Sequence, residues 1–165
     1  MKRKSSDFKC TGAMVLGMHD ALVSLTGTIA GLAFALTERK IIILTAVIAA
    51  VVASLSMSAS SYLAERANES NNAKSSAIYT GFAYLITSAL LILPFVVLKK
   101  TSNALIFMFI IAIAIIFGFN TCIGITNKKP FVKKFLEMLF ICSGVSIIAF
   151  IIGQIAKIFL GLTIF

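Results

Sequence analysis

Asp20 is a full negative charge set inside an apolar run, residues 11–36, instead of at its edge. If that run crosses a membrane, the carboxylate lies at lipid depth. Insertion scales put a central Asp there about 2.5 to 3.5 kcal/mol uphill, so such groups face a partner or serve a function. At 100° per residue, Ala13, Gly17, Ser24, Gly27 and Gly31 fall within about 60° of it, making a small, polar face. Gly27 and Gly31 form a G-x-x-x-G pair, a spacing that lets membrane helices approach closely, so this face is expected to turn toward another helix. A second run, residues 41–64, carries the companion stripe: Ala50, Ala53, Ser54, Met57, Ser60, Ser61 and Ala64 share one side. Carboxylate oxygens suit hard divalent ions, and a thioether shifts preference toward first-row transition metals over magnesium or calcium. Asp20 and Met57 together therefore read as ligands for ferrous iron or manganese. Two donors are too few for a cage, so the simplest completion is a symmetric pair of chains giving two of each, with water filling the rest.

Other residues have weaker claims. Ser24, Ser54 and Ser61 are candidates for lining a path to the metal, although small hydroxyl residues also serve simply to bring helices together. Glu65 and Glu69, four apart, can capture metal at a cytoplasmic mouth, or form a solvated helix end beside Arg66. Glu137 follows Lys133 at a spacing of four, which suggests an interfacial ion pair. His19 sits about 100° round the helix from Asp20 and is not read as a ligand. Cys10, Cys122 and Cys142 have no paired spacing and no nearby His, which excludes a disulfide framework and a zinc site and leaves small apolar residues. There is no nucleophile with a base in reach, no phosphate loop and a single His, so no enzyme is expected, nor any permanently bound cofactor.

What must position these residues is a set of membrane helices. Of 165 residues, 59% are hydrophobic and only 13% charged, against about 25% in soluble proteins. A helix needs roughly 20 apolar residues to cross a bilayer. Five such segments are present, at 11–36, 41–64, 77–98, 104–125 and 135–156, joined by short polar connectors that force neighbouring helices antiparallel. The expected fold is an all-α integral membrane protein of five transmembrane helices, one domain over residues 1–165. The net charge of +9 would suggest nucleic acid in a soluble protein, but here the charges sit between apolar runs and set topology, so no nucleic-acid partner is expected. Lys2, Arg3, Lys4, Lys9, Arg66, Lys74, Lys128, Lys129, Lys133 and Lys134 fall on one side, and Arg39, Lys40, Lys99 and Lys100 on the other. Cytoplasmic loops hold the excess, which puts the N-terminus in the cytoplasm. The small size and the lack of an organelle signal favour a prokaryotic plasma membrane.

These motifs resemble the vacuolar iron transporter family, membrane carriers that move ferrous iron and manganese out of the cytosol. Gly17-Met18-His19-Asp20-Ala21-Leu22-Val23-Ser24 is similar to that family's Gly-Ala-Asn-Asp-Gly-Leu-Val-Ser stretch. Ser56-Met57-Ser58-Ala59-Ser60-Ser61-Tyr62 is similar to Ser-Met-Ala-Ala-Gly-Glu-Tyr, and Leu91-Ile92-Leu93-Pro94-Phe95 to a Pro-Leu-Leu-Pro-Tyr ending. The resemblance implies a homodimer, a translocation path at the dimer interface lined by the first two helices, proton antiport, and ligand positions at Asp20 and Met57. It also implies a role for Glu137 at the inner entrance. The departures are Asn-Asp-Gly changed to His19-Asp20-Ala21, Gly-Glu changed to Ser60-Ser61, and residues 65–76 standing as a short loop where many members carry a Glu-rich metal-binding domain. The Ser60-Ser61 change removes a carboxylate and bears on which ion is carried. The alternative function is a non-transporting scaffold or assembly subunit whose Asp20 and glycine face binds a partner helix.

Overall fold

The computed structural model describes residues 12–36, 38–70, 72–127 and 131–159. Among them all regular structure is helical: α1 (Gly12–Ala35), α2 (Arg39–Ala67), α3 (Ala73–Val97), α4 (Thr101–Asn127) and α5 (Phe131–Phe159). Each contains a stretch long and apolar enough to cross a membrane, as the apolar runs predict. Several helices extend beyond those runs. In particular α2 continues to Ala67 and α3 starts at Ala73, so the connector expected over residues 65–76 narrows to residues 68–72. Helix is the cheapest way to satisfy backbone groups at the membrane edge, and Glu and Arg are good helix formers, so the helix runs on through Glu65 and Arg66.

The helices divide into a centre and a shell. In α1 and α3, 56% of the membrane span is buried, against 22% in α2, 28% in α4 and 12% in α5. Leu22, Leu25, Ile29, Ile42, Leu91, Phe95, Met108 and Ile116 form the centre of the core. Leu44, Val52 and Leu55 of α2 and Ile148, Ile152 and Ile155 of α5 point outward, exposed. Lipid tails solvate such surfaces, so close packing and hydrogen bonds, not apolar burial, must hold the helices together.

Two packing devices do so. Along α1 and α5 the contact is glycine to backbone: a methyl on Gly31 would stand 3.1 Å from the Ala149 carbonyl oxygen, and one on Gly153 2.9 Å from that of Gly31. Gly27 meets Val145 and Ala149 one turn earlier, so α1 and α5 run parallel. The G-x-x-x-G pair therefore does turn toward another helix, and that helix is α5 of the same chain. Just past the end of α1, at the same end of the bundle, Arg39 ties the start of α2 to the end of α3. Its Nη1 donates to the carbonyl oxygens of Leu98 at 2.7 Å, Phe95 at 3.0 Å and Val96 at 3.4 Å. Those carbonyls have no partner within the helix, and a cation is favoured at that end of the dipole.

The helix closest to Asp20 is not uniform. Ala21–Leu25 form a π turn, and Asp20 immediately precedes it. A π turn inserts about one extra residue into the helical phase, which rotates the remainder of α1 by about 100°. Asp20 and the Gly27–Gly31 pair, expected on one face of a regular helix, are therefore thrown out of register.

Candidate functional site

Two of the hydroxyl-bearing candidates are fixed by α3. Ser54 is buried and its Oγ donates to the Gly81 carbonyl oxygen at 3.0 Å. Ser61, also buried, is hydrogen-bonded to Ser76 Oγ at 2.8 Å, while Thr80 Oγ1 shares its proton between Ser61 Oγ at 3.0 Å and the Ser76 carbonyl oxygen at 2.8 Å. Within the chain, then, the hydroxyls of Ser54 and Ser61 are engaged in holding α2 on α3. Met57 lies half-buried between them along α2.

The third helix also sets the height of α1. Gly17 is seated against the Thr80 backbone so closely that a methyl there would overlap the Thr80 carbonyl. On the other side of α3, Gly81 faces Ser54 and Ser58. Thr80 and Gly81 are neighbours, so Gly17 of α1 and the Ser54–Ser58 turn of α2 meet α3 at one level. Asp20 is three residues beyond Gly17, about 4.5 Å along the axis. Asp20 and Met57 thus stand within roughly a helical turn of the same depth, both inside their membrane spans.

Asp20 is half-buried. Just past it the π turn is held by hydroxyls. Thr26 Oγ1 donates to the Leu22 carbonyl oxygen, Thr28 Oγ1 to that of Ser24 at 2.8 Å, and Ser24 Oγ is hydrogen-bonded to Tyr84 Oη at 3.0 Å. Tyr84 is 1% exposed, and the Asp20 carboxylate lies close enough to its phenol to act on it electrostatically. An apolar groove of about 580 Å³ opens beside Ser24 and runs between α1 and α5 past Gly31 to Ala156.

The remaining candidates are spread out. Glu65 is half-buried near the end of α2. Glu69 is exposed and takes a left-handed backbone, φ 51°. That conformation stops α2, with Glu69 N–H on the Arg66 carbonyl at 3.0 Å and Ser70 N–H on that of Glu65 at 3.0 Å. Glu137 is exposed on α5, and the Lys133 side chain paired with it in the sequence lies outside the described residues. Cys142 is buried and free, whereas Cys10 and the Cys122 side chain lie outside the described residues. Among the described residues of the chain no three His, Cys, Asp or Glu come together as a metal site.

Sequence reasoning passed over the polar row of α3. Ser76, Thr80, Tyr84 and Ser88 recur at a spacing of four and are all buried, the first three in hydrogen bonds to α1 or α2. That spacing, in an otherwise apolar segment, was the available signal.

Five apolar helices with a carboxylate and a thioether at one depth define an integral, multi-pass membrane protein with a polar centre. Residues 11–74 match the family model described as VIT family, a stretch that holds α1, α2 and the turn after them, with both Asp20 and Met57. No curated protein matches the sequence. The match spans 64 of the 165 residues, and it is this stretch, around Asp20 and Met57, that is similar to the VIT family.

Proposed function

We propose that this protein carries ferrous iron or manganese out of the cytosol in exchange for protons, as a homodimer. The path follows the interface between the two copies, lined by α1 and α2, and the N-terminus faces the cytoplasm. Asp20 and Met57 are the ligands: two carboxylates and two thioethers from the pair of chains, completed by water, give a mixed set that favours a first-row transition metal. Ser24 borders the path, and Glu65, Glu69 and Glu137 gather cations at the cytoplasmic mouth. The membrane proposed for it is a prokaryotic plasma membrane. The observation that carries the reading is the half-buried Asp20 inside a membrane span, level with Met57, in the stretch that matches the family. A carboxylate at that depth is costly unless something cationic meets it.

Reconstitution tests it. Manganese uptake into proteoliposomes, driven by a proton gradient, is expected for the wild type and lost in Asp20→Ala, with the dimer still folded. Equal uptake by the two would remove Asp20 as the ligand, and uptake by neither above that of empty liposomes would remove the transport proposal and leave the scaffold reading, in which Asp20 binds a partner helix.

A further inference from the structure

The π turn after Asp20 is built into α1 but anchored from outside it. Backbone widening in such a turn leaves carbonyls poorly served by the helix ladder, and Thr26 and Thr28 take up two of them, those of Leu22 and Ser24. These bonds are local. The side-chain hydrogen bond that joins the turn to another helix, among the described residues, is Ser24 Oγ to Tyr84 Oη at 3.0 Å. Tyr84 is packed to 1% exposure, so its ring cannot swing away, and a buried phenol hydroxyl needs a partner that only a fixed neighbour supplies. The same phenol lies within electrostatic reach of the Asp20 carboxylate. Asp20 is thus held at one end of a widened turn whose other end is tethered to the most buried part of α3.

We propose that Tyr84 is a positioning residue for the metal-binding carboxylate: through its hydrogen bond to Ser24 it fixes the π turn of α1 and so the direction in which Asp20 presents its oxygens to a divalent cation. This rests on the transport reading above. It adds a residue of the third helix, outside the stretch that matches the family, to the determinants of metal affinity. Tyr84 does not touch the ion. Removing its hydroxyl leaves the ring and its packing in place while freeing the turn.

The test is manganese uptake by Tyr84→Phe, Ser24→Ala and the double variant, with KM and maximal rate determined separately and melting temperature measured in detergent. One lost hydrogen bond corresponds to roughly a three- to tenfold change. Each single variant is expected to raise KM for manganese by that factor with the maximal rate little changed, and the double variant to be no worse than either single, because both remove the same bond. Ser88→Ala, one turn further along α3 and away from the turn, is the control and leaves KM unchanged. A purely structural bond would lower the melting temperature and the yield while leaving KM of the folded protein at the wild-type value, and that result overturns the proposal. A raised KM in Ser24→Ala with none in Tyr84→Phe also overturns it, since Ser24 would then act on the ion directly. Should Tyr84→Phe fail to fold, Ser24→Ala decides together with manganese-soaked crystals of the wild type: a raised KM with the Ser24 hydroxyl away from the ion supports, and an unchanged KM or a Ser24 hydroxyl bound to the ion refutes. Asp20→Ala in the same series separates the two levels. If it transports normally, Asp20 is not the metal ligand and the reading on which this rests is wrong, whereas its loss alongside a normal Tyr84→Phe removes only the role of Tyr84.

Discussion

Gly17→Ala should destabilise the bundle, although alanine is the better helix former. Gly in a helix interior costs about 1 kcal/mol relative to Ala, so the substitution by itself is favourable. Its methyl, however, would lie 2.9 Å from the Thr80 carbonyl carbon and 3.2 Å from Thr80 Cα, and would overlap the carbonyl oxygen. Carbon atoms prefer about 3.5 to 4.0 Å, so the helices must part by at least about 0.6 Å at this level. The obstacle is backbone, which cannot rotate away as a side chain does. Overpacking of this kind costs typically 1 to 3 kcal/mol, and the upper half of that range applies here, leaving a net loss of about 1 to 2 kcal/mol. Gly144→Ala supplies the contrast, because a methyl there meets nothing within 4 Å, and it should gain up to about 1 kcal/mol. Gly81→Ala falls between the two, since its nearest neighbour is the Ser58 hydroxyl, which can turn aside. Reversible unfolding in mixed micelles, followed by circular dichroism, orders the three. Gly17→Ala as stable as Gly144→Ala would refute the close α1–α3 contact, and with it the argument that levels Asp20 with Met57.

Arg39→Ala should lower stability in the same assay by about 1 to 2 kcal/mol, because it strips the last carbonyls of α3 of a charged donor; Arg39→Lys should recover part of that, having a single ammonium in place of the planar fork. Ser88→Ala should be neutral or slightly stabilising by thermal melting, since the Ser88 hydroxyl is buried without a hydrogen-bond partner among the described residues. A loss above about 1 kcal/mol there would mean that the hydroxyl has a partner.

The number and approximate position of the helices were legible because lipid imposes one strong rule, that a spanning segment be a helix of roughly 20 apolar residues, whereas their ends, which run on into the polar connectors, were not. Asp20 stood out for the same reason, as the charge that breaks the rule. What periodicity misplaced was direction. A regular helix puts Gly27 and Gly31 beside Asp20, but the π turn between them arises from hydroxyl side chains and from packing on α3, which no count at 100° per residue includes. Ser54 and Ser61 share a face with Met57 by spacing, yet their hydroxyls go to Gly81, Ser76 and Thr80, because in an apolar medium a hydroxyl goes to the nearest acceptor on a neighbouring helix. Tyr84 gave too little signal alone, and its meaning comes from the partner sixty positions away.

Anomalous diffraction from crystals soaked in manganese tests the metal site most directly. The expected map has one peak between the Asp20 carboxylates of two copies, beside the Met57 sulfurs, and loses it in Asp20→Asn. Asp20 carboxylates standing far apart, each bonded to a fixed side chain and with no peak near either, would contradict it.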